Sequence, residues 1–332
     1  MDYVNLGRTG VKVSPLCFGT MNFARRNDEA QAHALLDRAL DAGVNFVDTA
    51  DIYGRVDDTQ TGMGRSETML GGYLKARGCR SRLVLATKGF GKMDPDDPNS
   101  GGLSRRHLIR ACEASLKRLG VDHVDLYQLH SPSAHAPLDE TLRALDDLVR
   151  GGKVRYIGTS NFPAWQAVEG LWTSSELKLN RFVSEQPPYS LVFRLPERDV
   201  LPMAQKHGLA VLPWSPLWGG FLSGKYRRGQ DYPEGSRFEA VKDWGMWRDA
   251  IGERAWDLVE LLHEIAGEKG CTVSQLALAW VAAQPGVTST IIGPRTLEQL
   301  DDNLGALGVE VSEDDAKRID AIARPRGHLL NL

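Results

Sequence analysis

The feature of this sequence that most restricts its fold is a regular alternation of short apolar runs with longer segments of helical pattern. Eight strand-like runs end near Gly19, Asp48, Lys88, His130, Ser160, Gln186, Trp214 and Ile292. Between Asp48 and Trp214 these ends recur at intervals of roughly 26 to 42 residues, the length of one strand, one helix and two loops. The alternation therefore predicts parallel β-α units and an α/β fold.

Helical periodicity is clearest in six of the segments between these strands. They cover residues 29–41, 66–75, 104–119, 138–150, 200–206 and 274–283. A closed (β/α)8 barrel, the TIM barrel, uses all eight strands, and barrels of this length fold as one domain, here residues 1–332. A doubly wound open sheet is the alternative, but no G-x-G-x-x-G motif is present to begin a dinucleotide-binding unit.

Two segments depart from the regular alternation. Residues 3–13 predict an N-terminal β-hairpin with its turn around Gly7 to Gly10, and such a hairpin would plug the bottom of the barrel. After the seventh strand, about 78 residues separate Trp214 from the last strand, and the first part of this long loop is rich in glycine. Long loops inside compact domains are usually functional, so we expect cofactor and substrate contacts there, at the carboxyl face where barrel enzymes work.

The composition limits the class of protein. With 42% hydrophobic and 25% charged residues, a net charge of -3 and scattered basic residues, the chain is typical of soluble proteins and unsuited to nucleic acid or an anionic membrane. No apolar run is long enough to span a membrane and the N-terminus lacks a signal-peptide core, so we expect a cytoplasmic protein. The four cysteines have no close-paired spacing, which argues against a disulfide framework or a metal site.

Four residues that can handle protons lie at or just after strand ends. Asp48 ends the second strand with Tyr53 in the loop beyond it, Lys88 ends the third strand and His130 the fourth. The carboxyl ends of parallel strands meet on one rim, so we expect the four to converge. A neighbouring ammonium would lower the pKa of the phenol, and an aspartate would keep that ammonium charged. Taken singly, a loop tyrosine is more often a packing residue and a strand-end lysine more often part of a surface ion pair.

Eight short motifs follow one another along the chain in a specific order. They are GTM at 19–21, DTADIYG at 48–54, GRSE at 64–67, ATK at 86–88, SLKRL at 115–119, DLYQLH at 125–130, GKVRYIGTSNF at 152–162 and IIG at 291–293. With this set the chain resembles the aldo-keto reductase superfamily nearly from end to end. The resemblance implies a barrel that binds NADPH without a Rossmann fold and reduces an aldehyde or ketone to the alcohol. It also implies a catalytic tetrad at Asp48, Tyr53, Lys88 and His130, in which Tyr53 donates the proton and His130 polarises the carbonyl.

The same resemblance places the cofactor along the carboxyl rim. Ser160, Asn161 and Gln186 would hold the carboxamide, and Trp214 would stack on the nicotinamide ring. Further cofactor contacts fall on Gly19, Thr20, Met21, Asp48, Ser215, Pro216, Leu217, Gly219, Gly224, Lys225, Ile292 and Gly293. The 2′-phosphate and adenine fall on Arg295, Gln299, Asp302 and Asn303, with Arg237 assisting.

The sequence also bears on the substrate pocket and on the choice between two functions. An apolar substrate pocket is predicted from Phe23, Tyr53, His130, Trp218, Trp244 and Trp247. The sequence departs from the family pattern at residues 55–62, which bear on the shape of the substrate mouth, and at Pro294, which bears on the detail of phosphate binding. The alternative function is a regulatory subunit, because ion-channel β-subunits resemble the same superfamily and use the barrel to bind a membrane partner. This chain begins directly with its hairpin, which favours the enzyme with a small-molecule carbonyl substrate.

Overall fold

The computed structural model describes residues 1–55, 62–240 and 251–329. Eight parallel strands form one sheet in the spatial order β10-β3-β4-β5-β6-β7-β8-β9. They are β3 Leu16–Gly19, β4 Phe46–Asp48, β5 Val84–Gly89, β6 Val124–Leu129, β7 Val154–Ser160, β8 Phe182–Gln186, β9 Ala210–Val211 and β10 Thr290–Ile292. A doubly wound sheet would reverse its strand order at a switch point, whereas these strands follow one another around the sheet.

The two edges of this sheet meet, which closes the barrel. The N–H groups of Thr288 and Ser289 donate to the Val211 carbonyl at 2.9 and 3.3 Å, and the Ile291 N–H donates to the Pro213 carbonyl at 2.9 Å. The predicted (β/α)8 barrel is therefore confirmed. The regular part of β9 ends at Val211, three residues before the predicted end, although the Trp214 N–H still bonds the Pro187 carbonyl at 3.0 Å. Pro213 has no N–H and interrupts the ladder at that point.

Helices surround the barrel. They are α1 Glu29–Asp41, α2 Arg65–Arg77, α3 Arg105–Leu119, α4 Leu138–Arg150, α5 Ala164–Leu177, α6 Val200–His207, α7 Glu253–Lys269, α8 Val273–Ala282, α9 Leu297–Gly305 and α10 Glu313–Ile322. Capping boxes begin three of them: the Asp28 carboxylate accepts from the Gln31 N–H before α1, the Thr272 hydroxyl from the Gln275 N–H before α8, and the Ser312 hydroxyl from the Asp315 N–H before α10. Among the described helices, none is both long and apolar enough to cross a membrane.

The N-terminal hairpin plugs the bottom of the barrel, as predicted. Its strands, β1 Val4–Asn5 and β2 Lys12–Val13, pair antiparallel. Leu6 and Val13 are fully buried against residues such as Phe46, Leu126 and Ala210 from the strands. Gly7 has φ +56°, and a Cβ there would lie only 2.7 Å from the Ala210 backbone nitrogen. Only glycine lets the turn approach the barrel this closely.

Candidate active site

The ammonium group of Lys88 joins two other predicted catalytic residues. It forms an ion pair with the Asp48 carboxylate, and it donates hydrogen bonds to the Tyr53 hydroxyl at 3.3 Å and to the Thr49 carbonyl at 2.9 Å. Lys88 is fully buried on β5, and Asp48 ends β4, the neighbouring strand. Strand pairing therefore brings a carboxylate, an ammonium and a phenol together at the carboxyl rim.

Two glutamines hold the Asp48 carboxylate. Gln128 on β6 and Gln186 on β8 donate their Nε2 hydrogens to Asp48 Oδ2 at 2.9 and 3.0 Å, and Gln186 Nε2 also lies 3.1 Å from Gln128 Oε1. Hydrogen bonds to an ionised carboxylate are among the strongest in proteins. Asp48 is thus kept in one orientation toward Lys88, and the amide nitrogen of Gln186, predicted to bind a carboxamide, is engaged within the site.

The phenol and the ammonium have different protonation preferences. Burial raises the pKa of Tyr53 above its ordinary value, and the Lys88 charge opposes that rise. Sequence reasoning anticipated the contribution of Lys88 but not that desolvation outweighs it. Burial also disfavours the Lys88 ammonium, yet the charges of Asp48 and Tyr53 outweigh burial and raise the pKa of Lys88. At neutral pH the phenol keeps its proton beside a lysine that stays charged.

His130 follows β6 and packs against Tyr53. The two ring centroids lie 5.8 Å apart, with the ring planes at 81°. Burial, and then the charge of Lys88, lowers the pKa of His130 to about 3. The imidazole is therefore neutral at physiological pH, with one hydrogen-bond donor and one acceptor. Its buried Nδ1 atom has no hydrogen-bond partner among the described residues.

Asn161 connects the His130 segment to Trp214. Its backbone is left-handed, with φ +62°, a conformation that asparagine tolerates better than most residues. Its Nδ2 donates to the His130 carbonyl at 3.0 Å and to the Ser160 hydroxyl at 3.1 Å, and its Oδ1 accepts from Trp214 Nε1 at 3.1 Å. The Ser160 hydroxyl donates to the Gln186 carbonyl at 2.9 Å. The four residues predicted to contact the nicotinamide are thus one connected group.

Basic side chains gather in the loops beyond this rim. Burial, and then the charges of Arg25, Arg26 and Arg295, lower the pKa of Arg237. Partial desolvation, and then the charge of Arg295, lower the pKa of Lys225. Within the described ranges, no carboxylate forms an ion pair with Arg26, Lys225, Arg237 or Arg295. Like charges held together in this way create a positive potential that attracts anions.

A stretch of glycines passes close to two of these basic residues. Gly219 and Gly220 lie within the 3-10 segment Trp218–Ser223 at φ +65° and +96°. A Cβ on Gly219 would lie 3.4 Å from Arg237 Cδ, and one on Gly220 would lie 3.4 Å from Lys225 Nζ. The bare backbone therefore leaves both cations within reach of a ligand that lies along this loop.

The comparisons with known proteins agree with this geometry. A family model described as the Aldo/keto reductase family matches residues 15–324.

The chain belongs to the aldo/keto reductase family.

This aldo/keto reductase is an NAD(P)H-dependent oxidoreductase by its family, and the resemblance predicted from its motifs is confirmed.

Three similar proteins carry names of different kinds. An uncharacterized oxidoreductase, YrpG of Bacillus subtilis, is 39% identical over 97% of this chain and 96% of its own length. Protein tas of Escherichia coli is 35% identical, over 97% of each chain. A probable voltage-gated potassium channel subunit beta of Arabidopsis thaliana is 37% identical over 93% of this chain and 92% of its own length.

Hydrogen bonds tie the loop after β3 to the segment after β10. Asn22 Nδ2 donates to the Gly293 carbonyl at 2.9 Å, and Asn27 Nδ2 donates to the Arg295 carbonyl at 2.8 Å. These contacts place the predicted phosphate-binding segment of the aldo/keto reductase beside the loop that carries two further arginines. The remaining predicted cofactor residues lie in the loop after β9 or at the ends of β3 and β10: Gly19, Thr20, Met21, Ser215, Pro216, Leu217, Gly224 and Ile292.

The three polar residues predicted on α9 have different surroundings. The Gln299 side chain accepts a hydrogen bond from the Arg295 N–H at 2.9 Å and so fixes the backbone of that arginine. Asn303 is buried. Asp302 accepts from the Thr272 hydroxyl at 2.7 Å, which joins α9 to the start of α8. The Asp302 carboxylate therefore links two helices, although Asp302 was predicted to contact the cofactor.

The predicted aromatic wall of the substrate pocket needs correction. Phe23 is 1% exposed and packs on Phe18, with ring centroids 5.8 Å apart. Trp218 is 6% exposed and stacks on Phe193 at 5.6 Å. Both residues therefore lie in the core rather than on an open wall, because other aromatic rings cover them. The predicted residues Trp244 and Trp247 lie outside the described residues.

Sequence reasoning missed a buried charge network behind the tetrad. Glu67 is fully buried, accepts from the Thr87 hydroxyl at 2.6 Å and pairs with Arg118 Nε at 2.7 Å. Asp51 lies beside it, where burial and then the charge of Glu67 raise the pKa of Asp51 to about 7. The Asp51 N–H donates to the Lys88 carbonyl at 3.1 Å. The GRSE motif contained Glu67, but nothing in one sequence shows which strand it faces.

Glu185 on β8 is a second buried acid that the sequence did not single out. It accepts hydrogen bonds from the Thr159 hydroxyl and from the Phe162 N–H, the latter at 3.1 Å. Burial nevertheless raises the pKa of Glu185 to about 8. At pH values between about 4.3, the ordinary pKa of a glutamate, and about 8, Glu185 keeps its proton in the folded chain and loses it in the unfolded chain. The contribution of Glu185 to stability is therefore present at low pH and is lost as the pH rises to about 8.

We expect Glu185→Gln to flatten the pH dependence of folding stability. The amide stays neutral, so the loss of up to about 1.4 kcal/mol per pH unit that this carboxyl contributes should disappear. Urea unfolding at pH 5 and pH 8 measures the slope for both proteins. Glu169→Gln, at an exposed glutamate of α5, serves as the control and should keep the wild-type slope. A Glu185→Gln slope equal to that of the wild type would contradict the assignment.

Proposed function

We propose that this aldo/keto reductase reduces the carbonyl group of an aldehyde or ketone to the alcohol, with NADPH as cofactor and Tyr53 as proton donor. The observation that carries the proposal is the placement of the Lys88 ammonium between the Asp48 carboxylate and the Tyr53 hydroxyl. A surface ion pair does not account for this arrangement, because Lys88 is fully buried and Asp48 is 2% exposed. Burying two charges is costly, and perturbed buried groups concentrate at functional sites.

The proton has one suitable source in this group. When bound, the nicotinamide cofactor supplies a hydride to the carbonyl carbon, and the carbonyl oxygen then needs a proton. His130 does not supply it as an imidazolium, because a pKa of about 3 leaves almost none of that form at neutral pH. Tyr53 carries a proton at that pH. The Lys88 ammonium stabilises the phenolate that remains, and Asp48 keeps the ammonium in place.

The role proposed for His130 is to orient and polarise the substrate. A neutral imidazole has one N–H to donate to a carbonyl oxygen. The ring is held against Tyr53, and the Asn161 side chain holds the His130 carbonyl. A carbonyl oxygen bound between the phenol and the imidazole would face both groups. This geometry favours aldehydes and ketones over substrates that lack such an oxygen.

A preference for NADPH over NADH rests on the basic residues beyond the rim. The two cofactors differ only in the 2′-phosphate, and Arg295 starts the segment that leads into α9. Arg237, Lys225 and Arg26 surround it without an ion-paired carboxylate in the part of the chain that the structure describes. A dianionic phosphate relieves the repulsion between these cations.

A carbonyl panel tests the proposed activity. The purified protein is incubated with NADPH and a set of aromatic and aliphatic aldehydes, ketones and keto-sugars, and cofactor oxidation is followed by absorbance. We expect oxidation that depends on both enzyme and carbonyl, and the matching alcohol as product. Tyr53→Phe protein at the same concentration is the control. Oxidation without alcohol formation, or at equal rates in both proteins, would disprove the proposal.

A second candidate function is supported by the names of some relatives. Proteins of Arabidopsis thaliana and Oryza sativa that are 37% and 38% identical to this chain are each called a probable voltage-gated potassium channel subunit beta. A regulatory subunit of this kind would bind the cofactor and a membrane partner and would turn over slowly or not at all. Cofactor binding without multiple turnovers on any carbonyl would favour this candidate over the enzyme.

We expect Trp214→Ala to weaken cofactor binding. The indole is fixed by its hydrogen bond to Asn161, which sets the ring plane next to the proposed nicotinamide site. Loss of one aromatic stacking contact costs about 1 kcal/mol, or roughly a fivefold rise in the dissociation constant, and should reduce quenching of protein fluorescence by NADPH. Trp165→Ala, at an exposed tryptophan of α5, is the matched control. Unchanged quenching and affinity in Trp214→Ala would assign the indole to packing alone.

A further inference from the structure

A cavity of about 320 Å³ opens at the bottom of the barrel, at the end opposite the active site. It lies between the turn of the N-terminal hairpin, the end of α4 and the first residues of β7 and β8. Arg155 and Arg181 each lie five residues before the ends of these strands, Ser160 and Gln186, and strands rise about 3.3 Å per residue, so roughly 15 Å separates these arginines from the carboxyl rim. It is therefore distinct from the cofactor site at the carboxyl rim.

Three arginines line this cavity. Arg8 belongs to the hairpin turn, Arg155 to β7, and Arg181 immediately precedes β8. Arg181 Nη2 donates to the His207 carbonyl at 2.8 Å, and Arg155 Nη1 donates to the Gly152 carbonyl at 3.2 Å. These bonds orient two of the guanidinium groups and leave most of their N–H donors unused. In the described part of the chain, none of the three forms an ion pair.

Among the described residues, no carboxylate raises the pKa of Arg181. Burial, and then the positive charge of Arg8, lower the pKa of Arg181, and no carboxylate offsets them. Asp146 lies next to the cavity lining, where it accepts from the Asn180 N–H and Nδ2 at 2.8 Å and pairs with Arg150. Its charge is thus already engaged outside the cavity. Holding like charges together without a counter-charge costs free energy, and a bound anion would recover it.

Most of the remaining lining is apolar, with Thr9 and Asn180 as its further polar residues. Val149, Ile157 and Val183 contribute aliphatic side chains, and the partly buried ring of Tyr156 lies among them. A volume of this size accommodates a small organic molecule, and ligand sites typically combine an apolar wall with a few polar groups. An inorganic ion would leave this wall unused, whereas an ester of phosphate would contact both parts.

We propose that this cavity binds a small organic phosphate, with Arg8, Arg155 and Arg181 on the phosphate and the aliphatic wall on the organic group. Guanidinium groups suit this ligand because their planar N–H pairs match two phosphate oxygens at once. The site is independent of the proposed reductase activity, since it shares no residue with the carboxyl rim.

Calorimetric titration of the full chain with phenyl phosphate at low ionic strength tests the proposal. Arg181 is left intact because its side chain donates a hydrogen bond to the carbonyl of His207, the last residue of α6. The test therefore uses the double variant Arg8→Gln, Arg155→Gln. We expect at least a tenfold loss of affinity in that variant, because charge-assisted hydrogen bonds are removed. Arg143→Gln, at an exposed arginine of α4 outside the cavity lining, also removes a positive charge and should bind phenyl phosphate as the wild type does. Circular dichroism and the unfolding midpoint verify that both variants are folded.

Further probes distinguish the alternatives. Phenol should not bind, and inorganic phosphate should bind more weakly than phenyl phosphate. Equal affinity for phenyl phosphate in the wild type and the double variant would overturn the proposal, and so would an equal loss of affinity in Arg143→Gln. Binding of hexaglutamate without binding of phenyl phosphate would also overturn it, because the cavity would then accept an acidic protein segment.

Discussion

Tyr53→Phe is expected to lower kcat for carbonyl reduction by about 10²- to 10⁴-fold, the range typical for loss of a general acid. The substitution removes the hydroxyl that lies 3.3 Å from Lys88 Nζ but keeps the ring that packs on His130. Cofactor affinity should therefore stay close to that of the wild type. Steady-state rates with the best carbonyl of the panel, together with an NADPH dissociation constant, measure both effects.

Tyr127→Phe provides the matched control for this variant. Tyr127 is fully buried on β6, and its hydroxyl has no hydrogen-bond partner among the described residues. Removing that hydroxyl deletes the same atom from the same barrel without touching the tetrad. Its kcat should remain within a few-fold of the wild-type value. A rate for Tyr53→Phe similar to that of Tyr127→Phe would exclude Tyr53 as the proton donor.

Arg295→Ala should raise the dissociation constant for NADPH at least tenfold and leave that for NADH almost unchanged. A charge-assisted hydrogen bond to the 2′-phosphate is worth roughly 1.5–3 kcal/mol, which corresponds to about 10- to 150-fold in affinity. Arg295 is half-buried, so part of this difference should decrease as salt is added. Fluorescence titrations with both cofactors at two salt concentrations measure it.

The control for Arg295 lies on the same side of the barrel. Arg38 on α1 pairs with Asp301 of α9 at 2.8 Å, and Arg38→Ala removes a positive charge there without changing the basic residues around Arg295. It should leave the ratio of NADPH to NADH affinity unaltered. If Arg295→Ala weakens both cofactors equally, the residue supports the fold or the shared adenosine, and the phosphate must be bound elsewhere.

The tetrad was predictable because its members lie at or just beyond the ends of consecutive parallel strands. Strand pairing brings Asp48, Lys88 and His130 to one rim, and the short loop after β4 adds Tyr53. Gln128 was not assigned a role because it lies within β6, between apolar residues and before the strand ends. Its side chain nevertheless donates a hydrogen bond to Asp48.

Other features depended on contacts that periodicity does not report. The buried face of α5 includes Ala167, Gly170 and Ser174, so a helix packed through small residues gives little apolar signal. Arg25 and Arg26 join the basic residues around Arg237 only because the loop after β3 is bonded to the segment after β10. The pKa values of Asp51 and Glu185 follow from burial, which a single sequence does not specify.

Asn161 holds the His130 carbonyl with one end of its amide and the Trp214 indole with the other. In the proposed roles, one side chain therefore spans the substrate side and the cofactor side. Coupling between two binding events is reciprocal, so any factor by which a bound carbonyl changes the affinity for the cofactor through this side chain equals the factor by which the cofactor changes the affinity for the carbonyl. A substitution at Asn161 would then change how strongly each ligand affects the binding of the other, which cofactor titrations with and without a carbonyl would measure.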